Sequence, residues 1–143
     1  MHVAAVLQLR PLQAALARSN RLQDLLFEEI RPGRRGNDVL FATLGRMRDE
    51  GLDGTVYIHP IGLHGHGAGP LIGLWDRQDG VPGRGDHPVR AGTWFSSELQ
   101  VTSPVPEWGN RRVRIAQEED FLLGADGVAR WFHRRQSRLH VVR

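Results

Sequence analysis

Three histidines lie within residues 57–70, YIHPIGLHGHGAGP, where the other residues are mostly apolar, glycine or proline. They are His59, His64 and His66. Neutral imidazole is a common ligand of divalent transition metals, and it also serves as an acid or base in catalysis. The stretch therefore predicts a metal or catalytic site whose other members lie elsewhere in the chain.

Two glutamates lie inside segments that have the residue pattern of β-strands. Glu98 is part of FSSELQV, and Glu118 is part of IAQEEDFLL, where Glu119 follows it directly. Acidic residues are disfavoured within strands unless they face solvent or a site. Histidine and carboxylate together suit Zn²⁺, Mn²⁺, Co²⁺ or Fe²⁺. The pattern is compatible with such a site, but taken alone it favours two acids that point into solvent.

Two helices precede these strands. Residues 11–30 carry leucines at helical spacing, and Pro11 suits the first turn of a helix. A second helix is predicted from the cap candidate Asn37 to Gly51. The apolar run at residues 3–9 has the pattern of a short strand.

After Gly54 the sequence changes to strand-like segments separated by a loop rich in glycine. The segments begin with TVYIH and continue with TWFSSELQVTSPV, RRVRIAQEEDFLLG, GVARWF and SRLHVV. Two helices followed by antiparallel strands favour an α+β fold in a single domain. The helices are expected to pack on a curved, mainly antiparallel sheet.

The composition excludes several classes of function. There is no cysteine among the 143 residues, so a disulfide framework, a thiolate zinc site and a cysteine nucleophile are all excluded. All basic side chains other than histidine are arginine, and they are scattered among acids with a net charge of only +3. This pattern does not favour nucleic-acid binding. The absence of a membrane span or signal pattern predicts a cytoplasmic protein with no membrane partner.

Three stretches of the sequence carry a resemblance to a known family: HPIGLHGHGAGPLIGLWD, GVPGRGDHPV and VPEWGNRRVRIAQEED. In this order, and with Glu98 between the second and the third, they resemble the C-terminal half of the pita-bread metallopeptidases. That family includes methionine aminopeptidases, Xaa-Pro aminopeptidases, prolidases and creatinase. The likeness covers residues 10–143 and is greatest to the Xaa-Pro aminopeptidase and prolidase branch.

The resemblance implies a role for each candidate residue. His59 corresponds to the metal-ligand histidine, and Glu98 corresponds to the first glutamate ligand. Glu118 corresponds to the glutamate that bridges two metal ions, with the adjacent Glu119 as its alternative. His66 corresponds to the histidine that contacts the substrate and stabilises the transition state. His64 is the second choice for that role.

The family's site also contains two aspartates, which precede the first of these helices. This sequence has no aspartate before Asp24, and Asp24 falls within a predicted helix. The resemblance thus implies a partial catalytic domain, residues 1–143, that lacks the half carrying the aspartates.

Two functions follow as expectations. The first is an Xaa-Pro aminopeptidase-like or dipeptidase-like activity on proline-containing peptides, in which Mn²⁺, Zn²⁺ or Co²⁺ ions activate water. This activity is expected to be absent or strongly impaired in this chain alone. The alternative is a non-catalytic, oligomeric interaction protein derived from the same fold. In either case we expect a homodimer, because half of a two-part fold leaves a sheet face and strand edges uncovered.

Overall fold

The helices come first in the chain and the strands follow, as the sequence predicts. The computed structural model describes residues 2–140, with side chains described from residue 9 onward. The elements are α1 (His2–Glu29), α2 (Gly36–Asp49), β1 (Asp53–Gly62), β2 (Gly65–His66), β3 (Thr93–Val105), β4 (Arg111–Leu123) and β5 (Ala129–Trp131). The α+β class and the order of two helices on an antiparallel sheet are confirmed. In the part of the chain that the structure describes, no helix is long and apolar enough to cross a membrane.

Helix α1 begins earlier than predicted. The run at residues 3–9, for which a strand was expected, is helical, and Pro11 lies inside the helix instead of in its first turn. The segment is rich in alanine, leucine and glutamine, which have high intrinsic helix propensity. The apolar run therefore continues the periodic pattern of the following residues and does not form a separate strand.

Asn37 does not cap helix α2. The N-cap position belongs to Arg35, which makes no capping hydrogen bond through its side chain. The Asn37 amide oxygen instead accepts a hydrogen bond from the Val81 backbone N–H at 2.8 Å, and its amide nitrogen donates to Asp86 Oδ1 at 2.9 Å. Asn37 thus ties the long loop between β2 and β3 to the start of α2.

The predicted closing strand SRLHVV is not formed within the described residues. Residues 137–140 have no strand structure, and residues 141–143 lie outside the described range. The C-terminal segment instead bonds to α1: the Gln13 side chain donates to the Ser137 carbonyl at 2.8 Å and accepts from the Leu139 N–H at 3.2 Å. Hydrogen bonding to a helix side chain replaces the pairing with a neighbouring strand.

The sheet has the strand order β2-β1-β3-β4-β5, and every pair is antiparallel. Side chains alternate between its two faces, and one face packs against the helices. The core between them is apolar. Its fully buried members include Leu22, Leu25, Leu26, Ile30, Leu40, Val56, Ile58, Phe95, Val101, Phe121 and Leu123.

The opposite face of the sheet, which we call the open face, carries polar residues. On β1 and β3 it presents Tyr57 beside Glu98 and His59 beside Ser96, as the strand register requires. On β4 it presents Glu118 opposite Glu98. Neither α1 nor α2 packs on these side chains, since both helices lie against the apolar face. The open face is therefore where the sheet can present a site.

The two helices are joined by ion pairs at their outer ends. Arg34 and Arg46 both contact the carboxylate of Glu29, at 2.7 Å and 3.2 Å. The hydrogen bond from Arg34 lowers the pKa of the Glu29 carboxyl, and Arg46 lowers it further. These contacts hold α2 against α1 on the side of the protein that is remote from the open face.

Candidate metal centre

His59 lies near the end of β1 and is held in one orientation. Its ring is buried, with 4% of the residue exposed. Nδ1 is 3.0 Å from the Pro60 carbonyl oxygen, and Nε2 is 2.9 Å from Glu98 Oε1. A carbonyl oxygen can only accept, so Nδ1 carries a proton. In the neutral ring Nε2 then presents a lone pair to the carboxylate oxygen, and because both atoms are acceptors, a proton or a metal ion must lie between them to hold them at this distance.

His66 reaches His59 through a tight hairpin. Strands β1 and β2 pair Gly62 with Gly65 and Ile61 with His66, so the chain turns back within a few residues. The imidazole of His66 stacks on that of His59 with ring centroids 4.0 Å apart and an angle of 16° between the planes. The following loop is fixed by Arg84, whose guanidinium donates to the Gly67 carbonyl at 3.0 Å.

These contacts produce a cluster of three candidate ligands, which we call the His–His–Glu cluster. One ligand atom from each of His59, His66 and Glu98 lies within 4.8 Å of the other two. His59 is buried, Glu98 is half-buried and His66 is exposed, so one side of the cluster is open. Two imidazole nitrogens and one carboxylate oxygen suit Zn²⁺, Mn²⁺ or Co²⁺. The residues present therefore fit a divalent metal ion.

Glu118 and Glu119 point to opposite faces of the sheet. Glu118 pairs with Glu98 across strands β3 and β4, so it lies on the open face, and its Oε1 is 3.4 Å from the Ser96 hydroxyl. It is not part of the three-atom His–His–Glu cluster. Glu119 faces helix α1, where the Gln23 amide donates to its carboxylate. Of the two adjacent acids, only Glu118 shares a face with His59 and Glu98.

The remaining sequence candidates lie away from the cluster. His64 is exposed in the turn between β1 and β2 and is not one of the three clustered residues. Asp24 lies in α1, as predicted, and forms an ion pair with Arg135 of the C-terminal segment. Neither residue contributes to the arrangement around His59.

A cavity of about 370 Å³ lies beside the cluster on the open face. Glu98 and Glu118 line it together with Tyr57, Trp75 and Arg114. Burial raises the pKa of the Tyr57 hydroxyl, and the negative charge of Glu98 raises it further. Tyr57, Trp75 and Arg114 are not among the site residues predicted from the sequence. Two of them carried a usable signal, because Tyr57 is two residues before His59 and Arg114 is four before Glu118, which places each on the same face as its partner.

We expect the substitution Gly67→Ala to weaken metal binding by displacing His66. A Cβ atom at this position would lie 2.8 Å from the Ile61 carbonyl oxygen, closer than such contacts occur, and the atoms that it meets belong to the backbone. The hairpin must then open and move the His66 ring. Residues that orient ligands typically change metal affinity about 10–100-fold, and we expect a loss of about 10-fold here.

Isothermal titration with Zn²⁺ measures this effect. Gly45→Ala is the matched control, because a Cβ atom there meets nothing within 4 Å and the residue lies in helix α2. Its metal affinity should equal that of the unmodified protein. An unchanged affinity in Gly67→Ala would show that the hairpin does not position a ligand.

Comparison with known proteins supports the fold. No protein-family model matches the sequence, and no curated protein matches it either. Solved structures that share the fold include a dipeptidase and an X-Pro aminopeptidase. A dipeptidase from Pyrococcus horikoshii OT3 superposes with a TM-score of 0.58 at 22% identity, over 87% of this chain and 31% of that chain. An X-Pro aminopeptidase from Thermotoga maritima MSB8 gives a TM-score of 0.62 at 18% identity, over 93% of this chain and 34% of that chain.

The structural likeness confirms the fold that the sequence resemblance implied, a curled antiparallel half-barrel with two helices on one side. The chain spans about a third of the length of the two solved chains that it matches.

Proposed function

From this half-barrel and its His–His–Glu cluster, we propose that the chain is the metal-binding part of a peptidase that hydrolyses peptide bonds next to proline. The observation that carries the proposal is the convergence of His59 and Glu98, whose side chains meet at 2.9 Å from two different strands. The sequence resemblance gave both residues as metal ligands. The two solved structures of similar fold are a dipeptidase and an X-Pro aminopeptidase, which supports a peptide as substrate.

His59, His66 and Glu98 would hold the ion, which we propose to be Mn²⁺, Zn²⁺ or Co²⁺. A divalent ion bound there supplies polarisation of a carbonyl and activation of water. Glu118, on the same face and opposite Glu98 in the register, is the proposed fourth donor, with a carboxylate oxygen that would serve a second ion. The negative charges of Glu98 and Glu118 make this end of the open face favourable for cations.

The protein's own groups have distinct proposed roles. The Pro60 carbonyl accepts from His59 Nδ1–H and so keeps Nε2 directed at the cluster. His66 is exposed: one of its ring nitrogens would hold the ion, and the N–H at the other can donate to a peptide carbonyl oxygen as negative charge develops there. This is the role that the sequence resemblance assigns to it. The cavity beside Tyr57 and Trp75 offers apolar surface for a proline ring.

We propose that this chain alone is strongly impaired as an enzyme. The five-ligand site of the resemblance needs two aspartates, and no aspartate joins the cluster among the residues that the structure describes. Each missing carboxylate removes both Coulomb attraction for an ion and part of its coordination geometry. Two ions held at a fixed separation are what stabilises both the attacking and the leaving group in such sites.

Metal-dependent binding of an Xaa-Pro dipeptide tests the proposed function without requiring turnover. We expect Ala-Pro to bind in the presence of Mn²⁺ or Co²⁺, and to bind neither without metal nor in His59→Ala, with hydrolysis little above background. Ala-Ala and Pro-Ala are the matched peptides for the proline preference. Peptide binding that is indifferent to metal and to His59 would contradict the proposal. Rapid metal-dependent hydrolysis would contradict the impairment alone.

The second candidate function is a non-catalytic protein that associates with itself. The specific observation in its favour is the open face, which carries Arg114 and Glu118 without a salt bridge to either within residues 9–140. Association through this face gives a homodimer. Metal binding with no measurable affinity for any of the three dipeptides would favour this function over the peptidase.

A further inference from the structure

We propose that the open face binds a second copy of the same chain about a two-fold axis that crosses β4 over Ala116. In this arrangement Arg114 of each copy faces Glu118 of the other. This dimer rests on the self-association proposed above. Arg114 and Glu118 join the two copies, and a guanidinium from one copy lies beside the carboxylates of the other.

The outward side chains of β4 have a charge pattern that is antisymmetric about Ala116. Every second residue of the strand lies on the open face, and Arg112 and Arg114 precede Ala116 there, whereas Glu118 and Asp120 follow it. Each arginine is thus as far from Ala116 as one acid on the other side. All four are exposed, and Ala116 between them is small and exposed.

The chain itself does not neutralise most of these charges. Within the described side chains Arg114, Glu118 and Asp120 form no salt bridge; Arg112 contacts Asp53 on β1, across the intervening strand β3. Arg114 and Glu118 are four residues apart on one strand, which separates their Cα atoms by about 13 Å at about 3.3 Å per residue. They do not pair with each other within the described side chains, so each is available to a second molecule.

A two-fold axis in the plane between two facing sheets, perpendicular to β4, brings opposite charges together. It places position 114 over position 118 of the second copy and position 112 over position 120. On β3, level with Ala116, it places the neutral Gln100 over Gln100 of the second copy, so no like charges meet at the axis. Facing sheets pack about 10 Å apart, a distance that arginine and glutamate side chains span together. The face is therefore complementary to itself.

The arrangement also affects the candidate metal centre. Glu118 lies opposite Glu98, which belongs to the His–His–Glu cluster. Arg114 of the second copy would thus lie at the acidic end of the open face, in the cavity that Glu98 and Glu118 line. The second copy covers that cavity and contributes a positive charge to it.

Charge reversal with restoration tests the arrangement. The dimer dissociation constant of the full chain is measured by sedimentation equilibrium at 50 mM and 500 mM NaCl. We expect Arg114→Glu and Glu118→Arg each to weaken the dimer by about 10-fold or more, because like charges then face each other. The double variant Arg114→Glu/Glu118→Arg should recover most of the affinity. Arg111→Glu is the matched control, since it makes the same charge change on the same strand at a position of the opposite face.

The outcomes distinguish the proposed Arg114–Glu118 pairing from self-association by some other contact. An unmodified chain that stays monomeric at high micromolar concentration in 50 mM NaCl would overturn both, and would leave the face to a different chain. A dimer that survives both single reversals, or one that the double variant fails to restore, would overturn the arrangement and leave self-association intact. Each single variant is checked by circular dichroism and by its thermal unfolding, so that a folding defect is distinguished from lost pairing.

Discussion

Replacing His59 by alanine should lower the affinity of the chain for Zn²⁺ or Co²⁺ by about 100-fold or more. Changes to residues that merely orient ligands cost about 10–100-fold, and His59 is itself the buried member of the cluster. Its Nε2 lies 2.9 Å from Glu98 Oε1, so its loss removes one donor and leaves the Glu98 carboxylate without its imidazole neighbour. Only His66 and Glu98 would remain of the three clustered residues.

Titration calorimetry gives the affinity, and the visible spectrum of bound Co²⁺ reports the donor set. His64→Ala is the matched control: it removes an exposed histidine from the same hairpin but not from the cluster, and its affinity should be unchanged. Glu98→Gln should weaken binding strongly while the shape of the side chain is retained. Equal affinities for His59→Ala and His64→Ala would contradict the proposed centre. A second binding event that disappears in Glu118→Gln would show that Glu118 serves another ion.

Replacing Phe95 by alanine should reduce the free energy of unfolding by about 3–5 kcal/mol, the usual range for truncating a buried phenylalanine. Phe95 has no exposed surface and stacks on Phe121 with ring centroids 5.4 Å apart. It belongs to β3, directly before Ser96, and packs in the core that joins the sheet to the helices. The substitution leaves a cavity at the point where β3 is held against α1.

Urea denaturation followed by circular dichroism measures this loss. Phe41→Ala is the matched control, because Phe41 in helix α2 is 49% exposed and its truncation should cost less than about 1 kcal/mol. Similar losses for both variants would mean that the core between sheet and helices does not depend on Phe95. The Phe95→Ala chain, where folded, should retain Zn²⁺ binding, because the ring lies on the face opposite to His59.

The strands that carry the two glutamates could be predicted closely from the sequence. The predicted segment TWFSSELQVTSPV is strand β3, and RRVRIAQEEDFLLG contains β4 entire. Alternation of polar and apolar residues has a period of two, which defines both the strand and the face of each residue. That Glu98 and Glu118 share a face follows from this period together with the strand register.

The contact between His66 and His59 could not be predicted in the same way. It depends on a hairpin that pairs Gly62 with Gly65, and glycine-rich sequence is compatible with many turn conformations. The start of α1 was missed for a different reason. A proline indicates a first helical turn by local sterics, but nothing in a single residue shows that the helix continues before it. Both failures concern geometry that is determined by contacts beyond the local sequence.

The adjacent residues Glu118 and Glu119 point to opposite faces of the sheet, and the contacts of Glu119 fix the position of Glu118. Glu119 is anchored on the helical side by the Gln23 amide and by the Gln136 backbone N–H at 3.0 Å. A shift of β4 by one residue would turn Glu118 towards Gln23 and Gln136 and Glu119 towards the open face, because the period of a strand is two. The half-buried Glu119 carboxylate thereby selects a single alignment of β4 against β3, and this alignment places the charge of Glu118 on the open face.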